Sequence, residues 1–501
     1  RVGRGVLARD SGMNLVIVSN RLPYAVARDE SGEWRVERGT GGLVTALRPI
    51  LRDRGGKWIG WAGATSEELP DPFAMLADAH RRFGYELVPV PLNQAERDGF
   101  YSGFSNEIVW PLFHDLIPLA NFDPSYWAAY ETVNERFADA IVKAASPDDF
   151  VWVHDYHLMR VGTALAARGA GLRTAFFLHI PFPPLDVFLK LPWRFQVLNS
   201  LLDYDLVGFQ TVRDRRNFVQ CVRLLLPHVR VSGRGAVWRF RSGHRDLRVG
   251  SFPISIDFAD FERRAEYPEC AAGAAELKAS LGGRRIVLGI DRLDYTKGLP
   301  QKLEAFRTML RKHPDLQGTV TLIQVVVPSR EDIPRYQEHK TQVDRLIGEI
   351  NGQFTRGGWT PIRYVHRALE GARLSTYYRA ADVGLVTPLK DGMNLVAKEY
   401  CASRVDGDGV LVLSEFAGAA AELQRGALLV NPFDVEGVAE ALRAALAMPE
   451  GERRARFRKL RRMVREHDIH RWLDTFLRAA ASHPLSDFAL VEDYLPVEAV
   501  P

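Results

Sequence analysis

The chain has 501 residues, which is too long for one hydrophobic core and predicts two or three domains. Its 46% hydrophobic and 26% charged residues are typical of a globular protein. A formal net charge of +4 argues against a nucleic-acid-binding protein, while it leaves room for local basic sites that bind anionic substrates.

The cysteines and the hydropathy of the sequence indicate in which cellular compartment we expect the protein. Cys221, Cys270 and Cys401 are widely separated and form no CxxC spacing, so we expect free thiols in a reducing cytosol. No apolar run reaches the roughly 18 residues of a membrane span, and the N-terminus has no apolar signal-peptide core. We therefore expect a cytoplasmic protein without membrane contact. Residues 1–12 precede Met13 and are interpreted as an upstream extension.

Apolar runs alternate with longer amphipathic stretches along the whole chain, which predicts the α/β class with parallel sheets covered by helices. In the first half, helices are expected at 130–145 and 212–225. The strands expected there are 14–19, 57–61, 150–154, 173–179, 205–209 and 247–252.

The second half repeats this alternation, with strands expected at 285–290, 319–326, 362–365, 383–386 and 410–413. A proline-containing turn at 250–257 marks the junction between two sheets. The predicted domains are 13–252, 253–462 and 463–501, the last being a C-terminal helix and tail that packs back on the first domain.

Arg21 ends the first strand run, at the edge where open α/β sheets bind ligands. A glycine-rich turn follows, and its Gly41-Gly42 pair would let the backbone approach a phosphate or sugar. A plain turn requires glycines equally. No G-x-G-x-x-G or G-x-x-x-x-G-K-[ST] motif is present, so a dinucleotide or ATP site is not supported.

Residues 101–106, which include Tyr101, combine aromatic and polar side chains, and Trp110 follows shortly after. Aromatic faces with nearby hydroxyls and amides suit a sugar ring, although core packing also explains these aromatic residues. Two predicted strands end in Asp155 and His179. Either side chain could bond a sugar hydroxyl, and a structural histidine is the ordinary alternative.

Three cations follow predicted strands of the second half. Arg292 and Lys297 could neutralise a departing diphosphate, although Arg292 and Asp294 could equally form a surface ion pair. Arg330 with Arg21 could bind a phosphate monoester, the alternative being a solvated surface arginine.

Residues 391–399 follow a predicted strand and open a helix, so their amides could cradle a diphosphate. Glu399 would lie about 7.5 Å along the axis from Asn394, which suits a carboxylate that binds a ribose. An ordinary Asp-Gly turn and Asn cap fit the same residues. No His, Cys, Asp or Glu cluster has convincing metal spacing, so no metal and no cofactor is assigned.

Together these motifs resemble the trehalose-6-phosphate synthase family, whose members are retaining glycosyltransferases of the GT-B type. The resemblance spans about 14–477 and rests on SNRLP (19–23), GTGGL (39–43), YSGFSN (101–106) with Trp110, VHDYHL (153–158), FFLHIPFP (176–183), DRLDYTKG (291–298), PSR (328–330) and TPLKDGMNLVAKEY (387–400). It implies two Rossmann-like domains that face a central cleft. It also implies glucose transfer from a nucleoside diphosphate glucose to glucose 6-phosphate, forming α,α-trehalose 6-phosphate.

By the same resemblance, glucose 6-phosphate would bind to Arg21, Tyr101, Trp110, Asp155 and Arg330. The donor would bind to Gly41, Gly42, Arg292, Lys297, Leu369, Gly392, Met393, Asn394, Leu395, Val396, Ala397, Lys398 and Glu399. The catalytic set would be Arg292, Lys297, His179 and Asp391, with His179 and Asp391 on the donor glucose.

Two other classes of protein stay open from the sequence. A related nucleotide-sugar-dependent synthase would keep the donor motifs and use a different acceptor. A non-catalytic sugar-phosphate sensor would be expected to lose donor residues, and the principal ones are present. The sequence is silent on the donor base and on regulation, and it leaves a homo-oligomer open.

Overall fold

The computed structural model describes residues 14–28, 31–39, 44, 47, 51, 55–73, 75–76, 84–243, 245–330, 333–369, 371–481 and 483–496. The chain divides into two compact units. Unit 1 comprises Arg1–Phe252 with Phe476–Leu490, and unit 2 comprises Pro253–Thr475 with Val491–Pro501. Both contain a mainly parallel sheet whose strands are joined by helices, which confirms the α/β class. Within the described ranges, every helix is too short or too polar to span a bilayer.

Six strands of unit 1 follow the predicted apolar runs, with end points that differ by at most a few residues, and five further strands among the described residues were not predicted. Their bounds are β1 Leu15–Arg21, β2 Tyr24–Arg28, β3 Trp34–Arg38, β4 Lys57–Trp61, β5 Glu86–Pro89, β6 Phe150–His154, β7 Arg173–Phe177, β8 Leu206–Phe209, β9 Arg230–Ser232, β10 Val237–Ser242 and β11 Arg245–Ser251.

Nine of these strands form one sheet in the order β5-β4-β1-β6-β7-β8-β11-β10-β9. The pairs from β5 to β11 are parallel, and β10 is antiparallel to both of its neighbours. Val16, Ile17 and Val18 of β1 are fully buried, as expected for a central strand covered on both faces. The remaining strands, β2 and β3, form a separate antiparallel hairpin.

The sequence prediction missed strands that are only half buried. In β10, buried Val237 and Phe240 are interspersed with exposed arginines, so no continuous apolar run marks the strand. Such a pattern is normal for an antiparallel strand at the side of a sheet.

The helices of unit 1 begin at recognisable caps. Thr211 Oγ1 accepts a hydrogen bond from the Asp214 amide at 3.1 Å, and it starts the helix Val212–Leu225 at the predicted residue. Asp123 and Pro124 start the longer helix Pro124–Ala144, six residues before the predicted start at Tyr130. The α-helices whose two ends lie within the described residues are Gln94–Glu96, Trp110–Phe113, Pro124–Ala144, Val161–Ala167, Leu185–Phe188, Arg194–Leu202 and Val212–Leu225, with 3₁₀ turns at Ile117–Leu119, Tyr156–Leu158 and Leu485–Asp487.

A π-helix, Arg97–Val109, carries the aromatic segment that includes Tyr101. It is preceded by a capping box in which Asn93 and Glu96 bond each other's backbone amides. π-Helical turns are rare and widen the spacing between side chains, so helical periodicity could not have predicted this one.

The sheet of unit 2 has the order β14-β13-β12-β15-β16-β17, and all of its pairs are parallel. In chain order this is 3-2-1-4-5-6, the arrangement of the Rossmann fold. Its strands are β12 Arg285–Arg292, β13 Val320–Val327, β14 Ile362–His366, β15 Val383–Val386, β16 Val410–Ser414 and β17 Leu428–Val430, in agreement with the predicted runs apart from β17, which was not predicted.

The core of unit 2 lies between this sheet and its helices, where Val287, Leu322, Phe306 and Trp359 belong to one buried cluster. The helices are Phe258–Glu266, Pro268–Ser280, Leu299–Lys312, Pro334–Phe354, Gly371–Ala380, Leu395–Ser403, Ala420–Leu423, Val435–Ala447, Glu450–Glu466 and Ile469–Ala480, the last of which contains the end of the unit's first segment. Two 3₁₀ turns, Tyr295–Lys297 and Pro314–Leu316, complete the unit.

Candidate functional site

Each sheet has a topological switch point, where connections leave two neighbouring parallel strands in opposite directions. In unit 1 it lies between β1 and β6, and in unit 2 between β12 and β15. Ligands of open α/β sheets bind beyond the carboxyl ends of the strands at such a point. The candidate residues of both units follow these strands or their neighbours.

Arg21, the last residue of β1, lies against two aromatic rings. Its guanidinium carbon is 4.7 Å from the centroid of Trp61 and 5.4 Å from that of Tyr101, while the residue stays exposed. Gly60 makes this placement feasible, because a Cβ there would lie 2.8 Å from the Leu22 amide nitrogen and 2.9 Å from the Arg21 carbonyl carbon. Cation–π contacts therefore orient an exposed cation that can receive an anion.

Asp155 follows β6 in a backbone conformation that L-residues rarely adopt, with φ of 75°. Its Oδ1 accepts a hydrogen bond from the amide of His179 at 3.2 Å, and its own amide donates to the Phe177 carbonyl at 2.8 Å. These contacts link the carboxyl ends of β6 and β7. A strained residue that is held by its neighbours is typical of a functional site.

The ring of His179 has protein neighbours at both nitrogens. Nε2 is 3.1 Å from Nδ1 of His154, and Nδ1 is 3.3 Å from Nε2 of Gln210. Burial lowers the pKa of His179 to about 3, so the ring is neutral at physiological pH. This arrangement agrees with the structural-histidine alternative, and it makes His179 a neutral, oriented group rather than a cation.

Trp110 is 4% exposed and packs with its ring centroid 5.6 Å from that of Tyr156. The Tyr156 hydroxyl donates to Asn106 Oδ1 at 2.9 Å. Tyr101, on the same π-helix as Asn106, is stacked on His157 at 5.9 Å and an interplanar angle of 11°. The predicted aromatic residues therefore lie in one packed layer, in which Tyr101 is the half-buried member and Trp110 the buried one.

In unit 2, an ion pair joins the two loops at the switch point. Lys297 Nζ lies 2.5 Å from Asp391 Oδ2, and Asn394 Nδ2 donates to the same oxygen at 3.1 Å. Both charged side chains are mostly buried, with 10% and 16% exposed. Lys297 is thereby fixed beside the start of the helix Leu395–Ser403, as the diphosphate-site prediction requires.

The helix start itself is shaped by glycine. A Cβ on Gly418 would lie 1.9 Å from the carbonyl oxygen of Gly392, so only glycine permits this approach of the two loops. Asn394 has φ of 75° and no side-chain cap hydrogen bond. The turn that precedes Leu395 and Val396 therefore has a defined geometry. The amides at the start of a helix favour anions.

Two side chains of this helix have different partners. Glu399 Oε2 accepts a hydrogen bond from the Tyr378 hydroxyl at 2.7 Å, and burial raises the pKa of the carboxyl group. Lys398 is buried, bonds the Ile254 carbonyl at 2.9 Å and pairs with Glu422 at 2.5 Å. The ammonium group of Lys398 is thus committed to the unit's core, which leaves its backbone as the part available to a donor.

The sequence left open that Arg330 is a solvated surface arginine and that Arg292 and Asp294 form a surface ion pair. The structure contradicts both alternatives, because Asp294 and Arg330 are not at the surface. The side chain of Asp294 is fully buried, and that of Arg330 is 6% exposed. Asp294 Oδ2 lies 3.5 Å from Arg330 Nη1 and 3.8 Å from Arg292 Nη2. Although burial raises the pKa of Asp294, Arg330, Arg292 and Lys297 outweigh it and hold the value at about 2.

Three further predicted residues are less informative. Leu369 is buried, 8% exposed, in the segment that follows β14, which neither favours nor opposes a main-chain contact with a donor. Gly41 and Gly42 lie outside the described residues.

The sequence reading missed Trp61 and Gln210, which contact Arg21 and His179. Both stand at the carboxyl end of a strand, β4 and β8 respectively, so the positional rule that selected Arg21 could have selected them. It also treated Asp294 only as a surface partner, because sequence does not reveal which charges are buried.

Two Rossmann-like units, one of them with cations and a helix start arranged for a diphosphate, define a GT-B type glycosyltransferase that uses a nucleotide-linked sugar. The family model of glycosyltransferase family 20 matches residues 13–482, and the chain belongs to that family. The predicted resemblance is confirmed.

Several relatives cover nearly the whole chain. A trehalose-6-phosphate synthase from Mycolicibacterium vanbaalenii is 44% identical over 95% of this chain and 98% of its own length. A bifunctional trehalose-6-phosphate synthase/phosphatase from Thermoproteus tenax is 44% identical over 94% of this chain, which spans only 64% of that protein. The phosphatase part of its name is therefore not carried over.

Solved structures agree with these relatives. An α,α-trehalose-phosphate synthase (UDP-forming) from Burkholderia xenovorans in complex with glucose 6-phosphate has a TM-score of 0.84 at 36% identity, and covers 94% of this chain and 100% of its own. The Escherichia coli protein bound with UDP-2-fluoro glucose has a TM-score of 0.83 at 36% identity, with 94% and 99% covered.

Proposed function

We propose that this enzyme transfers glucose from a nucleoside diphosphate glucose to glucose 6-phosphate with retention, forming α,α-trehalose 6-phosphate. The observation that carries the proposal is the group at the switch point of unit 2, where Lys297, Asp391 and the helix start at Leu395 are held together. A lysine beside a helix start suits a departing diphosphate, because the ammonium group and the helix amides both favour negative charge. The names of the relatives supply the acceptor.

Arg292 and Lys297 are proposed to neutralise the charge that develops on the diphosphate as its bond to glucose C1 breaks. Asp391 and His179 are proposed to bind hydroxyls of the donor glucose. The ring of His179 is neutral and its two nitrogens lie near His154 and Gln210, so a donor hydroxyl would share one of these nitrogens. Glu399 is proposed to accept from the ribose, while Gly392, Met393 and Leu369 with the backbone from Asn394 to Lys398 line the donor.

For the acceptor, Arg21 and Arg330 are the proposed phosphate-binding residues. Tyr101 and Asp155 are proposed to bind the sugar ring, and Trp110 supports Tyr156 behind it. The oriented guanidinium of Arg21 and the nearly buried one of Arg330 are suited to a phosphate monoester, since arginine binds phosphate oxygens in a bidentate manner.

The proposed chemistry needs no covalent nucleophile. The acceptor hydroxyl bonds to C1 on the face from which the diphosphate leaves, and a phosphate oxygen of that leaving group takes the hydroxyl proton. Asp391 and Asp294, which lie on the loops beyond β15 and β12, are both paired with cations. A retaining hydrolase would instead use two carboxyl groups about 5 Å apart.

The two proposed substrates are intracellular metabolites, and Cys221, Cys270 and Cys401 are free, as predicted. We therefore propose a cytoplasmic location.

The direct test incubates the enzyme with glucose 6-phosphate and UDP-, GDP- or ADP-glucose separately, and it follows both the released diphosphate and the disaccharide phosphate. UDP-glucose comes first, because the Burkholderia relative is described as UDP-forming. Formation of trehalose 6-phosphate with one or more donors supports the proposal. No release with any of them would refute it.

A second test separates the acceptor from the donor. Arg330→Ala is expected to raise the KM for glucose 6-phosphate at least tenfold, while the dissociation constant of the donor diphosphate, measured without glucose 6-phosphate, changes little. Arg311→Ala, at the exposed end of the helix Leu299–Lys312, is the control and should match the wild type. Equal loss for both substrates would reject the acceptor role of Arg330.

A further inference from the structure

A single buried carboxylate, Asp294, lies between arginines that the proposed function gives to different substrates. Its Oδ1 accepts hydrogen bonds from the amide of Thr296 at 3.0 Å and from the Thr296 hydroxyl at 2.8 Å. The side chain is therefore tied to its own loop, so its position follows that of the loop. Its second oxygen, Oδ2, is the one that lies near the arginines.

The two arginines are constrained to different degrees. Arg330 has φ of 52°, its Nη1 donates to the Tyr336 hydroxyl, and its guanidinium carbon lies 5.5 Å from the Tyr336 ring centroid. Arg292 ends β12 with 46% of its side chain exposed. The distances to Asp294 Oδ2, 3.5 and 3.8 Å, are those of ion pairs rather than of short hydrogen bonds.

The carboxylate of Asp294 offsets the repulsion between the two arginines. Arg292 and Arg330 approach the same oxygen, so without Asp294 two positive charges would stand close together, and the one on Arg330 is nearly buried. The pKa of Asp294 is about 2, set by burial against the three cations around it, so the group is ionised at neutral pH. It screens the arginines from each other and holds both in one arrangement.

We propose that Asp294 is a positioning residue that couples the binding of the two substrates, an inference that rests on the proposed function. When the donor diphosphate binds Arg292 and Lys297, it fixes the loop that carries Asp294, and Asp294 then holds Arg330 ready for the acceptor phosphate. Thermodynamic linkage requires the reverse effect to be equal. Each substrate therefore strengthens the binding of the other.

The coupling is measurable without turnover, because a nucleoside diphosphate and glucose 6-phosphate together cannot react. The dissociation constant of glucose 6-phosphate is determined by calorimetry with and without saturating UDP, or the diphosphate of whichever donor is active. We expect UDP to tighten glucose 6-phosphate binding at least fivefold in the wild type. In Asp294→Asn the ratio should fall to about one.

Asp382→Asn is the matched control. Asp382 is another aspartate of unit 2 with a basic partner: its Oδ2 accepts a hydrogen bond from the Ile286 amide at 2.8 Å, and its Oδ1 pairs with Lys278 at 3.1 Å. Ile286 is near the amino end of β12, the opposite edge of the sheet from Asp294. The same change of charge there should leave the wild-type ratio intact.

Thr296→Val provides a second variant in case Asp294→Asn does not fold. It removes the 2.8 Å hydroxyl contact and keeps the charge, so we expect an intermediate ratio. A wild-type ratio of one, or an unchanged ratio in both Asp294→Asn and Thr296→Val, would overturn the inference. The proposed function is tested apart from this, since trehalose 6-phosphate formation by the wild type does not depend on the ratio.

Discussion

A buried ion pair beneath the switch point of unit 2 gives a sharp test of how the site is supported. Lys302 pairs with Asp291, and the side chains of the two residues are 0% and 1% exposed. Asp291 directly precedes Arg292, and Lys302 stands in the first turn of the helix Leu299–Lys312. The pair therefore connects the strand and the helix on either side of the loop that carries Lys297.

Lys302→Met removes the cation and keeps most of the side-chain volume. Asp291 Oδ2 would keep the 3.0 Å hydrogen bond from Gln324 Nε2, and the buried carboxylate would lose the ammonium group that neutralises it. Breaking a buried pair from one side costs about 3–5 kcal/mol. For a unit of this size we expect Tm to fall by roughly 10 °C.

The double variant Asp291→Asn/Lys302→Met removes both charges, and it should recover most of the lost stability because no uncompensated charge remains. Calorimetry of the full chain, together with urea unfolding, measures the three free energies and the coupling between the residues. A loss below about 1 kcal/mol in Lys302→Met, or a double variant no more stable than the single one, would refute the reasoning.

Three other perturbations follow from the contacts. Gly60→Ala should displace the end of β1 and raise the KM for glucose 6-phosphate more than that for the donor, because the new Cβ would lie 2.9 Å from the Arg21 carbonyl carbon; unchanged steady-state kinetics would contradict this. Phe476→Ala should cost about 3–5 kcal/mol in thermal or urea unfolding, since the buried ring stacks 4.2 Å from Trp152; a cost under about 1 kcal/mol would oppose the packing argument. The pKa of Asp294 is about 2 when folded and 3.8 ordinarily, so its ionised form stabilises the fold by about 2 kcal/mol above pH 4, and this contribution is lost as pH falls through 2. The stability difference between wild type and Asp294→Asn, measured by urea unfolding from pH 5 downward, should shrink along that path; a constant difference would count against it.

Much of the fold was predictable because its central strands are continuous apolar runs. β4, β6 and β15 have the predicted bounds, since the interior positions of a parallel strand buried on both faces are mostly apolar. The half-buried strands β9 and β10 and the π-helix lack such a signal. Charged side chains in β10 and an irregular helical spacing hid them from any search for periodicity.

The sequence by itself determined the α/β class, the family, and the positions of Arg21, Asp155, Arg292 and Lys297 after their strands. Strand ends are visible in sequence, and parallel strands bring their carboxyl ends to one edge of a sheet.

Only the tertiary structure decided which charged side chains are buried and which residues they contact. Lys398 pairs with Glu422 in the core, and Asp294 lies between two arginines. Lysine and aspartate are ordinarily surface residues, so composition gives no hint of these contacts. Their burial depends on countercharges brought in by segments distant in sequence, which only the folded chain provides.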